Sequence, residues 1–176
     1  MDEVGRGPLA GSLVAVAAVL NKNCPVSVLK DSKKLSKIQR ENIFLKLMEA
    51  KVEFCVEEIG VEEINQFGIG WANREAFIRL INRIDADKYI VDGNFKISGA
   101  ESMVKADTKI PEVMAAAIIA KVTRDGQMRK LHDKHMVYGW DTNVGYGTKK
   151  HIEAIKKHGV TKHHRIKFVN TVLKIK

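Results

Sequence analysis

Up to about residue 110, short apolar runs alternate with segments of helical period; beyond it only helical patterns remain. A chain with this order lays down a sheet early and then covers it with helices. Leu13–Leu20 is apolar throughout and carries valines, which reads as a strand buried on both faces. Val52, Phe54 and Val56 alternate with other residues, the period of a second strand. Lys88–Val91, ending at Asp92-Gly93, and Ser102–Lys105 read as two more. Between them, Ser36-Lys37-Ile38-Gln39 forms a capping box that opens a helix to about Lys51, with Ile38, Phe44, Leu45 and Met48 as its apolar side. A second helix runs from about Trp71 to Asp85 on Phe77, Ile78, Leu80 and Ile81. Pro111 starts a long alanine-rich helix, Glu112 to about His135, whose Ala115–Ala117 let it lie close to a sheet. Thr148–His158, closed by Gly159, and Phe168–Ile175 complete the helical third. The expected class is α/β, a central mixed sheet flanked by helices. With no repeat and no linker, residues 1–176 read as one domain.

Charge narrows the partner. Residues 1–120 hold 16 basic and 17 acidic side chains, whereas residues 121–176 hold 14 basic and 4 acidic. The whole positive excess therefore sits in the last third, as a solvated helical surface or as the grip on a polyanion. No apolar run approaches the ~20 residues of a membrane span, and the acidic start, Asp2 and Glu3, is not that of a signal peptide. Cys24 and Cys55 lack metal spacing and read as reduced cytosolic residues, Cys55 in a strand interior. The expected location is the cytoplasm and the expected state a monomer.

Four acidic residues stand beside predicted strand ends: Asp2, Glu3, Asp92 and Asp107. Such ends are where ligands collect in open α/β sheets. Asp2 and Glu3 precede Gly5-Arg6-Gly7, where a bend would let neighbouring side chains share a site. Converging carboxylates would repel one another without a cation, and oxygen-only donors suit Mg²⁺ or Mn²⁺. Taken singly, Asp92-Gly93-Asn94 is equally a turn and Asp107 equally part of an acidic loop. The histidines lack metal spacing. His132 and His135 read as helix-surface residues, and His163 and His164 as partners of phosphate or solvent.

The segments carrying these residues resemble ribonuclease HII, of the ribonuclease H superfamily. They are MDEVGRGPLAG (Met1–Gly11), Asp31-Ser32-Lys33-Lys34-Leu35, Val91-Asp92-Gly93-Asn94, VKADTKIPEVMAAAIIAKVTRD (Val104–Asp125), Gly145-Tyr146-Gly147-Thr148-Lys149 with His151, and His164-Arg165 with Phe168. They follow the family's order across nearly the whole chain, and the single GRG-bearing domain is more like ribonuclease HII than HIII. The resemblance implies a ribonuclease H-like fold. It implies that Asp2, Glu3, Asp92 and Asp107 hold two Mg²⁺ or Mn²⁺ ions. It further implies an endonuclease that hydrolyses the RNA strand of RNA/DNA hybrids and cuts 5′ of a single ribonucleotide in duplex DNA, leaving 5′-phosphate and 3′-hydroxyl ends. Gly5, Arg6 and Gly7 match the motif that recognises the 2′-hydroxyl, the group that separates RNA from DNA. Tyr146 matches the tyrosine that stacks on the sugar beyond the junction; read alone it is an exposed loop aromatic. Ser32, Lys33, Lys34, Thr148, Lys149, His164 and Arg165 are the remaining expected substrate contacts, although Lys33 and Lys34 can equally solvate a loop and Thr148 can equally be a helix cap. DNA replication and ribonucleotide repair are the implied setting.

The sequence departs from the family pattern in places. Ala106 stands for the usual glycine before Asp107, Ala117 for a serine, Met136 for a proline, Val144 for a lysine and Lys167 for a serine. Family members carry a strand before the first aspartate, where this sequence has Met1 alone, so a truncated first strand is expected. Two rivals remain: a same-superfamily nuclease such as a junction resolvase, against which the GRG turn and Tyr146 argue, and a hybrid-binding protein that does not cut.

Overall fold

The strand Leu13–Val19 (β2) is the axis on which the other layers are built. In the computed structural model, which describes residues 1–175, Leu13 to Val16 are fully buried. Side chains alternate across a strand, and here both sides meet a core. Leu13, Ala15 and Ala17 pack with Ala72, Ala76, Phe77 and Leu80 of the helix Ile69–Ile81 (α3). Val14 and Val16 pack with Ala115, Ala116, Ile118 and Ile119 of the helix Pro111–Lys134 (α4), and with Ile43 and Leu47 of the helix Lys37–Glu49 (α1). Burial on two faces explains why β2 reads as a continuous apolar run rather than an alternation.

Two antiparallel neighbours flank β2: Asp2–Val4 (β1), with Asp2 opposite Val16, and Glu53–Ile59 (β3), with Ile59 opposite Leu13. Ile90–Asp92 (β4) pairs in parallel with Glu101–Met103 (β5). Met1 joins the two sheets edge to edge. Its nitrogen donates to the Ile90 carbonyl at 2.7 Å, and Asp92 N–H donates to the Met1 carbonyl at 3.0 Å. The result is the expected mixed sheet with helices on both faces. β1 itself is a strand that the sequence pattern did not announce. Being only three residues long, it is too short to show a period, yet its pairing with β2 anchors Asp2 and Glu3.

Other boundaries moved for local reasons. The capping box at Ser36 is present: its hydroxyl accepts from Gln39 N–H, and the Gln39 side chain accepts from Ser36 N–H. The buried face of α1, however, is Ile43 and Leu47 flanked by Phe44 and Met48, while Ile38 and Leu45 are 70% and 56% exposed. At about 100° per residue those two fall on the opposite side of the helix. In α3, Ile78 is likewise exposed, and the helix closes at Ile81 rather than running to Asp85. A short helix, Val61–Phe67 (α2), lies between β3 and α3, divided from α3 by Gly68. Cys55 is only partly buried.

The C-terminal third comprises Trp140–Asn143 (α5), Lys149–His158 (α6) and Ile166–Leu173 (α7). It builds a third core in which Met128, Tyr138, Trp140, Ile155 and Val169 close over Leu9 and Ala10. This core ties the helical third to the loop that follows β1. Among the described residues, no helix is long and apolar enough to cross a membrane.

Candidate metal centre

The sheet edge where β1 and β4 meet carries the acidic residues. Asp2 and Glu3 lie on β1, and Asp92 is the last residue of β4. Asp107 sits in a single turn of 3-10 helix, Ala106–Thr108, held to β4 because Asp92 Oδ1 accepts from Ala106 N–H at 2.7 Å. The left-handed residue of that turn is Lys105, at φ 60°, so alanine at 106 is accommodated without strain. Asp2, Asp92 and Asp107 each offer a carboxylate oxygen, and these lie within 4.8 Å of one another. Glu3 lies outside that set, beside Arg6, whose guanidinium is 3.6 Å from Glu3 Oε1.

The electrostatics are those of an acidic cluster that nearby cations offset only in part. Burial pushes the Asp2 carboxyl up to about 7, and the neighbouring Asp92 and Asp107 charges push the same way, against the Glu3 N–H that Asp2 accepts. Burial followed by Asp2 pushes Glu3 up to about 8, against the pull of Arg6. Glu3 Oε2 is buried and has no hydrogen-bond partner among the described residues. Lys33 reaches in from a neighbouring loop, its Nζ 2.8 Å from Asp107 Oδ2. An orphaned carboxylate oxygen beside three converging ones is a donor set that fits hard divalent cations.

A second surface adjoins this cluster. The chain leaves β1 directly into Gly5, whose φ of 104° and whose Cβ position, already filled by the Arg124 side chain, admit only glycine. Arg6 is exposed, its guanidinium 5.5 Å from the centre of the Phe95 ring. A Cβ at Gly7 would sit 3.7 Å from the Tyr146 ring, which is itself 42% exposed. The loop 145–147 is locked to the first loop: Leu9 N–H donates to the Gly145 carbonyl at 2.8 Å. Thr148 caps α6 by accepting from His151 N–H, and Lys149 stands exposed in the first turn of that helix. Lys33 and Lys34 are exposed, whereas Ser32 is buried beneath them.

Two expected substrate contacts are corrected by depth. His164 and Arg165 are both fully buried, so neither side chain reaches a duplex lying on the surface. Arg165 instead donates to the carbonyls of Gly11 at 2.8 Å and Arg6 at 3.2 Å. Arg124, which sequence reasoning passed over, works beside it. It donates to the carbonyls of Ser12, Ala10 and Val144 at 2.9, 3.0 and 2.9 Å. The signal was there: Arg124 falls between Ala120 and Met128 at i, i+4 spacing, a charged residue on a buried stripe.

A family model described as Ribonuclease HII matches residues 1–171. The chain is 43% identical over 172 residues to the Ribonuclease HII of Orientia tsutsugamushi (strain Ikeda), covering 96% of this chain and 83% of that one. It is 42% identical over 170 residues to the Ribonuclease HII of Sulfurovum sp. (strain NBC37-1), covering 96% and 89%. The crystal structure of the ribonuclease H2 from Pyrococcus horikoshii OT3 superimposes with a TM-score of 0.80 at 29% identity, covering 98% of this chain and 95% of that one.

Proposed function

The chain belongs to the ribonuclease HII family of endoribonucleases, which hydrolyse RNA paired with DNA, and we propose that it also incises duplex DNA 5′ of a single embedded ribonucleotide. Asp2, Glu3, Asp92 and Asp107 are the residues that would hold two divalent ions, Mg²⁺ or Mn²⁺. Held there, such ions would lower the pKa of an attacking water and offset charge on the leaving oxygen, chemistry that would leave 5′-phosphate and 3′-hydroxyl ends. The protein's own residues present and select the substrate. The Gly5–Gly7 backbone would meet the ribose at Gly7, whose missing Cβ leaves room beside the Tyr146 ring, while the missing Cβ of Gly5 makes room for Arg124 beneath. Tyr146 offers a face on which the next sugar can rest. Arg6 would join the Gly5–Gly7 backbone in recognising the 2′-hydroxyl, and Lys33, Lys34, Thr148 and Lys149 would meet backbone phosphates. Removal of ribonucleotides during replication and repair, in the cytoplasm, is the role this activity serves.

The observation that carries this reading is the position of the exposed Tyr146 ring, 3.7 Å from where a Cβ on Gly7 would sit, in a loop that continues directly from the carboxylate-bearing strand. A site built to hydrogen-bond one hydroxyl leaves polar groups unpaired when it is missing, and such sites discriminate by ~10⁴ or more. Cleavage should therefore fall by about that factor when the single ribonucleotide is replaced by its deoxy form. Comparable cleavage of all-DNA duplex would sink the proposal.

A further inference from the structure

We infer that His151 is a positioning residue for Tyr146, holding the substrate-facing loop from beneath through its Nδ1–H. The inference rests on the reading of Tyr146 as the residue that meets the sugar at the junction. It starts from a hydrogen-bond chain with no exposed member at its centre. His151 and His164 are both fully buried. Their Nε2 atoms are 3.3 Å apart, and His151 Nδ1 lies 2.9 Å from the Tyr146 carbonyl.

The proton positions follow from the neighbours. An indole N–H can only donate, and Trp140 Nε1 lies 3.1 Å from His151 Nε2. That nitrogen is therefore an acceptor, and the proton of the neutral ring is on Nδ1, directed at the Tyr146 carbonyl. A backbone N–H also can only donate, and Thr161 N lies 2.9 Å from His164 Nδ1. His164 therefore carries its proton on Nε2, directed at the one lone pair of His151 Nε2, which it shares with the closer Trp140 N–H. Two independent donors, at opposite ends of the chain, select the same arrangement of neutral rings. Burial acts in the same direction on both, lowering the affinity of His151 for a second proton and pushing His164 down to about 4.

This chain differs from ordinary core packing in its end point. The Tyr146 carbonyl already accepts from Thr148 N–H at 2.8 Å, which closes the turn locally. The His151 bond is a second restraint on the same atom, reaching it from the first turn of α6. It fixes the peptide whose side chain faces Gly7. A residue that acts in this way should matter most where cleavage must be aligned on one ribonucleotide, and least on a long hybrid where any register serves.

The test separates the two nitrogens. An asparagine amide reaches the Nδ1 position and a glutamine amide the Nε2 position, so His151→Asn keeps the bond to Tyr146 and His151→Gln loses it. Cleavage at a single ribonucleotide in duplex DNA is measured against cleavage of a long RNA/DNA hybrid, with Mg²⁺ or Mn²⁺ present, for wild type, both variants and Tyr146→Ala. The ratio should fall about tenfold in His151→Gln, the cost of one lost hydrogen bond, and stay near wild type in His151→Asn. Tyr146→Ala should lower it as well. An unchanged ratio in Tyr146→Ala overturns the reading of Tyr146 and this inference with it. A ratio that falls in Tyr146→Ala but not in His151→Gln overturns this inference alone. So does a parallel fall of both His151 variants on both substrates in step with their melting temperatures, which is what mere packing predicts. Independently of activity, nitrogen NMR of the metal-free protein should find His151 protonated on Nδ1; protonation on Nε2 would also overturn it.

Discussion

Two regions of this molecule bury charge in opposite ways. At the sheet edge, Asp2, Asp92 and Asp107 face one another and Glu3 Oε2 has no partner among the described residues, so Lys33 on Asp107 and Arg6 near Glu3 offset the negative charge only in part. In the helical third, Arg124 and Arg165 are buried at least as deeply, yet they donate to five backbone carbonyls of the loops 6–12 and 144, and one terminal nitrogen of Arg165 has no partner among the described residues. Carbonyl dipoles provide what a counter-ion would, and the arginines become part of the scaffold. Burial alone therefore does not separate a working site from a structural one. The difference is one of degree: the arginines meet mostly carbonyls of the fold, whereas the carboxylates meet mostly one another.

The largest expected effect breaks that comparison at its acidic end. Asp92→Asn removes a charge but keeps the oxygen that accepts from Ala106 N–H. Turnover should drop by about 10³-fold or more, the scale of metal-ion contributions, while hybrid affinity changes little. In chelator the same variant should melt at a higher temperature than wild type, because a repelling carboxylate has gone. A lower melting temperature would mean that the cluster is self-satisfied after all.

The same contrast explains what could be read in the sequence. Layering was legible because β2 is apolar on both faces and the helices after it carry their own periods. Asp92 and Asp107 stood out at the ends of predicted strands, but all four acidic residues were singled out together only by the resemblance of their segments to the family. Depth was not. Charge names a residue type and says nothing of what covers it, so His164 and Arg165 read as phosphate contacts until the Tyr138 and Trp140 rings are seen against His164 and the Gly11 and Arg6 carbonyls against Arg165. Arg124 and His151 went unassigned for the same reason: their partners lie in loops more than a hundred residues away, or in a carbonyl that no side-chain pattern reports. β1 and α2 were too short to show a period.

A smaller effect tests the satisfied region with acid. The folded pKa of His164 lies at about 4, below the 6.5 of a free histidine, pushed down by burial, then by His151, with His163 and His135 adding. Between those values the unfolded chain binds the extra proton. The contribution to stability is complete above about pH 6.5 and is lost as pH falls toward 4, roughly 2 kcal/mol between pH 7 and pH 5. Denaturation in chelator at the two pH values, for wild type and His164→Asn, isolates it, since the carboxylates titrate alike in both and cancel in the difference. An equal acid loss in the two proteins would show that the histidine pair carries no such linkage.

The smallest effect sharpens the division inside the basic third itself. Its positive excess suggests a uniform grip on phosphate, but the structure divides it. Lys149 is exposed at the start of α6, where helix N–H groups and an ammonium can meet one phosphate, whereas Arg165 is sealed beneath the loops. Each neutralised phosphate adds about 0.9 to the slope of log affinity against log salt. Lys149→Gln should therefore flatten the slope of hybrid binding by about that amount, roughly a threefold change in the relative affinity between 50 and 200 mM salt. Its melting temperature should stay at the wild-type value, because an exposed lysine without a partner contributes little to stability. Arg165→Met should do the reverse. It strands the Gly11 and Arg6 carbonyls, so the protein melts earlier, but whatever remains folded binds with an unchanged slope. A flattened slope in Arg165→Met would mean that this guanidinium emerges to meet the duplex when substrate is bound, and the boundary between scaffold and grip would have to be redrawn around it.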